Sequence, residues 1–103
     1  MAASHDDPQP GQIVRVIRGQ DTGKFAVIIG VVDQRYVWIA DGNKRRFDQP
    51  KKKNIIHLEL LPAISSEVAE SLLETSRVTN GKLRFALNKY VDNLETEALE
   101  KGE

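Results

Sequence analysis

Short apolar runs separated by turn signals constrain the fold of this chain more than any other feature. From Gly11 to Leu58, β-branched and aromatic runs alternate with segments rich in glycine, aspartate and proline. This pattern predicts strands over residues 13–17, 25–32, 36–40, 44–48 and 55–58, with Pro50 ending the fourth. Five short strands at this spacing are typical of a small closed or half-open β-barrel.

The hydrophobic period changes from two to about 3.6 after Pro62, which predicts helices. Ser65 and Ser66 are candidate N-caps of a first helix, and Thr79 and Asn80 of a second. The predicted apolar stripes contain Val68, Ala69, Leu72 and Leu73 in the first helix, and Leu83, Phe85, Ala86, Leu87, Tyr90 and Val91 in the second. The fold class expected is therefore mainly β with C-terminal helices.

The chain of 103 residues fits one domain with short appendages. We predict a disordered tail over residues 1–10, a barrel over 11–61, a helical extension over 62–91 and an acidic, frayed tail over 92–103. The sequence contains no cysteine, which excludes a disulfide scaffold, a thiolate metal site and a cysteine nucleophile. No run approaches the roughly 18 apolar residues of a membrane span, and residues 1–10 lack a signal-peptide pattern. We expect a cytoplasmic protein.

The formal net charge of zero conceals a strong asymmetry along the chain. Residues 11–57 carry ten lysines and arginines against four aspartates, a net charge of +6, whereas residues 58–103 carry five basic and nine acidic residues, a net charge of −4. Residues 1–10 add two aspartates. A basic part beside acidic flanks favours a polyanionic partner for the basic part.

Two segments carry the most specific pattern. The first, GQIVRVIRGQDTGKFAVIIGV from Gly11, resembles the KOW motif of ribosomal and transcription-elongation proteins, a likeness that covers about residues 11–37. The positions that match the motif are Gly11, Val14, Val16, Ile17, Gly19, Gly23, Lys24, Val27, Ile29 and Val32. The second segment, DGNKRRFDQPKKKNIIHL from Asp41, is similar to KOW-containing RNA-binding proteins related to a large-subunit ribosomal protein group.

Bacterial relatives of that group carry a helical tail that resembles TNGKLRFAL from Thr79. The resemblance implies an SH3-like barrel of the KOW type, and ribosomal or other structured RNA as the partner. The tight loop 19–23 and the basic groups around it fit such a role, because a small barrel gathers its loops and basic groups into a surface that neutralises phosphates. The candidate RNA-binding residues are Arg15, Arg18, Gly23, Lys24, Lys44, Arg45, Arg46, Lys51, Lys52 and Lys53.

Each candidate has an alternative interpretation. A single basic residue on a strand is as often part of a solvated face, and Gly23 is explained by a backbone requirement. Three adjacent lysines at 51–53 repel one another, which favours a phosphate contact by at least one of them. The aromatic residues Phe25, Tyr36, Trp38 and Phe47 are stacking platforms only where exposed, and we expect them in the core, Trp38 above all.

Catalysis and metal binding have little support in the sequence. The pattern Gly19-x-x-x-Gly23-Lys24 has one residue too few for a P-loop, and Phe25 stands where serine or threonine is required. The two histidines, His5 and His57, have no third histidine or cysteine to complete a metal site. No nucleophile–base pair is suggested. We therefore expect neither cofactor nor metal.

Two functions remain. The first is a non-catalytic RNA-binding protein associated with the ribosome, a monomer when free, which grips folded RNA through the barrel. The second is a protein-interaction adaptor in translation or transcription, which binds its partner through the barrel or through the helical extension.

Overall fold

The computed structural model describes residues 7–101. The elements are β1 (Gln12–Val16), β2 (Phe25–Val31), β3 (Tyr36–Ala40), β4 (Lys51–Asn54), β5 (Leu58–Ile64), α1 (Ser66–Thr75) and α2 (Asn80–Lys101), with a 3₁₀ turn over Ile55–His57 between β4 and β5. The strands form one antiparallel sheet in the order β4-β3-β2-β1-β5. The mainly β fold with two C-terminal helices is confirmed.

The sheet curls around a first core, as expected of a barrel. Alternate residues of β1, β2, β3 and β5 share one apolar cluster, so strands far apart in the sheet order face a common centre. Its buried members are Val14, Val16, Ala26, Ile28, Val37, Ile39 and Leu58. The described strands β4 and β5 are the two edges of the sheet, which makes the barrel half-open.

A second core lies on the other face of the sheet, under the helices. Ile13, Val27 and Ala40 from the strands meet Val68 of α1 and Leu83 of α2. Phe25 and Tyr90 add an edge-to-face pair with ring centroids 5.5 Å apart. The helical extension therefore packs on the barrel, and each central strand buries residues on both faces.

Two glycines allow the helices to approach the strands closely. A β carbon at Gly42 would lie 2.3 Å from the carbonyl oxygen of Asn80 at the start of α2. A β carbon at Gly11 would lie 2.9 Å from Cβ of Ala69 in α1. Both glycines have positive φ, +82° and +90°, which other residues rarely adopt.

The prediction of a fourth strand at residues 44–48 is wrong, because these residues form a loop and β4 follows Pro50 instead. The Asp41 carboxylate accepts hydrogen bonds from the backbone N–H groups of Asn43 and Arg45 at 2.8 and 2.9 Å. The backbone N–H of Phe47 donates to Asn80 Oδ1 at 2.7 Å. These bonds direct the loop to α2 and away from strand pairing.

The predicted fifth strand is also placed differently. Residues 55–57 form a 3₁₀ turn that Asn54 caps, since its side chain accepts from the backbone N–H of Ile56. Strand β5 then runs from Leu58 through Pro62, which an edge strand accommodates because its unpaired side requires no N–H.

The helices differ from the predicted pattern at their exposed sides and at the C-terminus. Ser65 is the N-cap of α1, and its hydroxyl accepts from the N–H of Val68 at 3.2 Å. Leu73 and Phe85, predicted in the apolar stripes, are 86% and 55% exposed. Helix α2 continues to Lys101, where fraying was expected after residue 91. None of the helices within the described residues is long and apolar enough to cross a membrane.

Candidate nucleic-acid interface

The β1–β2 loop, residues 17–24, holds its shape through its own backbone. The N–H of Gly23 donates to the carbonyl of Val16 at 2.7 Å, and the N–H of Val16 donates to the carbonyl of Lys24 at 2.9 Å. Gly23 has a φ of +92° and open space around it, which fits the backbone requirement expected there. Arg18 and Lys24 are exposed at the two ends of this loop.

Asp21 joins this loop to the β3–β4 loop, residues 41–50. Its carboxylate accepts from Lys44 Nζ at 3.0 Å and from Arg45 Nη2 at 3.2 Å. The hydrogen bond from Lys44 lowers the pKa of Asp21 below its usual value, and Arg45 adds to this against the opposing effect of desolvation. One carboxylate therefore holds two cations of the other loop in place and leaves an excess of positive charge.

Helix α2 contributes a basic residue that the sequence analysis did not include. Arg84 Nη1 donates to the carbonyl of Gly42 at 2.7 Å, so the guanidinium lies against the β3–β4 loop. Lys24, Lys44 and Arg84 line one open cavity of about 320 Å³, together with Asp41, Asn43 and Asn88. We name this cavity the basic groove.

A signal for Arg84 was present in the helical period. Leu83 and Leu87 form the buried stripe of α2, and positions 84, 88 and 91 follow at the border of that stripe. A cation at such a border lies beside whatever the helix packs on, which here is the β3–β4 loop.

The three lysines of residues 51–53 belong to edge strand β4, not to a loop. Register pairs Lys51 with Ile39 and Lys53 with Val37, which places both lysines on the face of the first core, at its rim. The Lys53 ammonium lies 2.7 Å from where a β carbon of Gly19 would be, beside the β1–β2 loop. Lys52 pairs with Trp38 and faces the other side of the sheet.

The position of β4 at the edge of the sheet offers a second explanation for three adjacent lysines. An edge strand exposes unpaired backbone groups, and lysines on it oppose pairing with a second chain. The repulsion among these three lysines therefore does not by itself imply that one of them contacts a phosphate.

Two further candidates lie outside the groove. Arg15 faces away from Val14 and Val16, and its Nε donates to Glu59 of β5 at 2.9 Å. Arg46 Nε lies 4.0 Å from Asp48, and both side chains are largely exposed. Each has a carboxylate next to it, so these two arginines add little net charge to a binding surface.

The prediction that Trp38 is the most core-like aromatic residue is wrong. Trp38 is 38% exposed and belongs to neither core cluster, whereas Phe25 and Phe47 pack against the second core. Successive residues of β3 point to opposite faces of the sheet, so Val37 and Ile39 face the first core and Trp38 faces the other side. Because all three residues are apolar, the sequence does not show which of them is exposed.

A curated protein of Bacillus subtilis (strain 168), "Putative ribosome-binding protein YbzG", is 44% identical to this chain over 70 residues. The match covers 68% of this chain and 95% of that relative. This chain belongs to the YbzG family. No family model matches the chain.

The relationship to YbzG concerns most of that relative and about two thirds of this chain. About a third of the chain therefore has no counterpart in that comparison.

Proposed function

We propose that this protein is a non-catalytic RNA-binding protein that associates with the ribosome through the basic groove at one end of a KOW-type barrel. The observation that carries the proposal is the Asp21 clamp. It fixes Lys44 and Arg45 beside the loop that bears Lys24, while Gly42 binds Arg84 of α2. The name of the YbzG relative supports a ribosomal partner, which also implies a cytoplasmic location.

The groove suits phosphates better than a small molecule. It is open, and its three cations come from two loops and a helix. Each cation that meets a phosphate displaces a counterion, which makes the affinity fall as salt rises. Asn43 and Asn88 add neutral hydrogen-bonding groups for phosphate or ribose oxygens.

The test is co-sedimentation of the purified protein with ribosomes over a series of salt concentrations. The groove variant carries Lys24→Gln, Lys44→Gln and Arg84→Gln. We expect affinity to fall at least about ten-fold, and the slope of log affinity against log salt to lose about two units.

The matched control removes three positive charges elsewhere, through Arg15→Gln, Arg46→Gln and Lys89→Gln. Each of these groups lies beside a carboxylate, Glu59, Asp48 and Glu67 respectively. The control should bind nearly as the wild type does. Equal loss in both variants would mean that total charge matters and the groove does not, and no loss in the groove variant would reject the proposal.

The adaptor function has one observation in its favour, the exposed apolar side chains of the helices. Leu73 on α1 and Phe85 on α2 are available to a protein partner. Nuclease treatment of the ribosome-bound fraction separates the two functions. Retention of the protein after complete RNA digestion, abolished by Leu73→Ser or Phe85→Ser, would favour the adaptor.

A further inference from the structure

The outer face of β3 and β4 carries an aromatic and basic surface that the groove does not use. Tyr36 and Trp38, two residues apart in β3, both lie on this face, and Lys52 lies directly across from Trp38 on β4. We name Trp38, Tyr36 and Lys52 the outer platform. The helices cover other parts of the same face, at Ile13, Val27 and Ala40. Within the outer platform, Tyr36 is half-buried, and Trp38 and Lys52 are exposed.

Gly30 of β2 supports the indole from below. Register places Gly30 opposite Trp38, at the bulge of β2. A β carbon on Gly30 would lie 3.5 Å from Trp38 Cδ1, so the indole rests against a strand backbone that has no side chain of its own there. One side of the ring is thus held by the sheet, and the ring is 38% exposed.

The platform carries a positive charge at a defined place. Lys52 Nζ lies 4.9 Å from the centroid of the Tyr36 ring, in a cation–π contact that fixes the ammonium beside the aromatic surface. The neighbouring carboxylate of Asp33 is engaged in the β2–β3 turn, where it accepts from the N–H groups of Arg35 and Tyr36 at 2.7 and 2.9 Å. It organises the turn without neutralising Lys52 by a direct ion pair.

From this geometry we infer that the outer platform binds an unpaired RNA nucleotide, whose base stacks on Trp38 and whose phosphate meets Lys52. Base–aromatic stacking beside a cation is the arrangement by which proteins hold single-stranded nucleic acid. A ring that stacks on the exposed indole removes apolar surface of both rings from water, which favours binding. The adjacent ammonium favours a ligand that carries a negative charge. The inference rests on the proposed RNA-binding function and adds a second contact, specific for unpaired nucleotides.

Trp38 is the only tryptophan of the chain, so its fluorescence reports on this site alone. The experiment titrates the full-length wild-type protein with an eight-nucleotide uridine oligomer, and separately with an abasic ribose-phosphate oligomer of the same length. We expect the uridine oligomer to quench the indole fluorescence and the abasic oligomer to bind through phosphates with little quenching. Equal quenching by both oligomers, or none by either, would overturn the inference.

Variants extend the test to affinity. Trp38→Leu keeps an apolar side chain and removes the stacking ring, and we expect it to weaken binding of the uridine oligomer about five-fold or more. Trp38→Phe should retain part of the affinity. Phe85→Leu is the matched control, since Phe85 is an exposed aromatic residue on α2, and its change should leave affinity unaltered. Circular dichroism confirms that each variant is folded.

The outcomes separate this inference from the proposed function. If the groove variant loses ribosome binding while Trp38→Leu binds the uridine oligomer like the wild type, the groove stands and the platform is rejected. If the groove variant keeps the ribosome affinity of the wild type, the proposed function fails, whether or not Trp38→Leu changes the binding of the uridine oligomer. Quenching by a polyglutamate peptide as strong as by the uridine oligomer would assign the platform to an acidic protein partner and reject the nucleotide.

Discussion

At the scale of single residues, Asp21 joins the two loops beside the basic groove. Its side chain is 15% exposed and accepts from two cations of another loop. A carboxylate lowers the net positive charge of the surface around it, so Asp21 does not add to the attraction for an anion. Its role is to determine the positions of Lys44 and Arg45.

We predict that Asp21→Asn lowers the free energy of unfolding at pH 7 by about 1 kcal/mol, the scale of a partly exposed ion pair. The pKa of Asp21 is lowered in the folded state, so its contribution is fully present above the unfolded pKa near 3.8 and is lost as the pH falls through the lower folded pKa. Denaturant unfolding at pH 7 and pH 2.5 measures this. The difference between variant and wild type should be smaller at pH 2.5 than at pH 7.

The control for this prediction is Asp48→Asn, which removes the same charge from a side chain that is 76% exposed and 4.0 Å from Arg46. It should leave stability within a few tenths of a kcal/mol. An Asp21 effect that is no larger than that of Asp48, or that is as large at pH 2.5 as at pH 7, would contradict the clamp.

Only part of the candidate site could be predicted from the sequence, because several of its contacts depend on how distant elements pack. The exposure of Arg15 followed from strand alternation, but its ion pair with Glu59 depends on the register between β1 and β5. Arg84 required knowledge of where α2 docks. Trp38 was misplaced because a half-covered sheet face produces the same apolar run as a fully buried one.

At the scale of elements, the close approach of α2 to the β3–β4 turn determines whether Arg84 reaches the groove. We predict that Gly42→Ala destabilises the protein more than Gly23→Ala does, although both glycines have positive φ. Gly23 has open space, so alanine there costs only the backbone strain of about 1–2 kcal/mol. At Gly42 the added methyl meets the Asn80 carbonyl, which adds about 1–3 kcal/mol.

Thermal and urea unfolding of the two glycine variants, measured side by side, test this docking contact. Gly42→Ala should also weaken ribosome binding at temperatures where it remains folded, because the shift of α2 displaces Arg84. Equal stability of the two variants would mean that α2 is not held against the turn.

The first three strands could be predicted with their boundaries to within one residue, whereas β4, β5 and the C-terminal end of α2 could not. β1, β2 and β3 appear where β-branched runs and turns placed them. The elements between residues 41 and 64 were predicted at the wrong places because long-range hydrogen bonds override the local pattern. The backbone N–H of Phe47 donates to the side chain of Asn80, which keeps this segment out of the sheet. Pairing with β1 extends β5 beyond Pro62, as far as Ile64. Such bonds join residues far apart in sequence, and no local window contains them.

At the scale of the whole molecule, charge is divided unevenly along the chain. Most of the basic groups belong to the barrel, and the last part of α2, which follows the contact that Tyr90 makes with Phe25, is acidic. Residues 92–103 contain five acidic residues and one lysine, so they offset much of the positive charge of the barrel. A polyanion therefore meets attraction at the groove and repulsion from this segment.

We predict that deletion of residues 92–103 strengthens binding to RNA unrelated to the ribosome, measured by filter binding at low salt. The deletion raises the net charge from zero to +4, and non-specific RNA binding is largely electrostatic. The gain should shrink as salt rises and screening shortens the range of the repulsion. The fold should persist, because the Phe25–Tyr90 pair and the buried Leu83, Ala86 and Leu87 all precede the deleted segment.

A full-length variant with Glu95→Gln and Glu97→Gln separates charge from length, since it keeps the helix and removes two acidic side chains. It should show part of the gain of the deletion, with the same dependence on salt. If the deletion strengthens binding and this variant does not, the segment hinders RNA by its bulk rather than by its charge. If both leave affinity for unrelated RNA unchanged, the acidic end of α2 does not restrain the basic barrel.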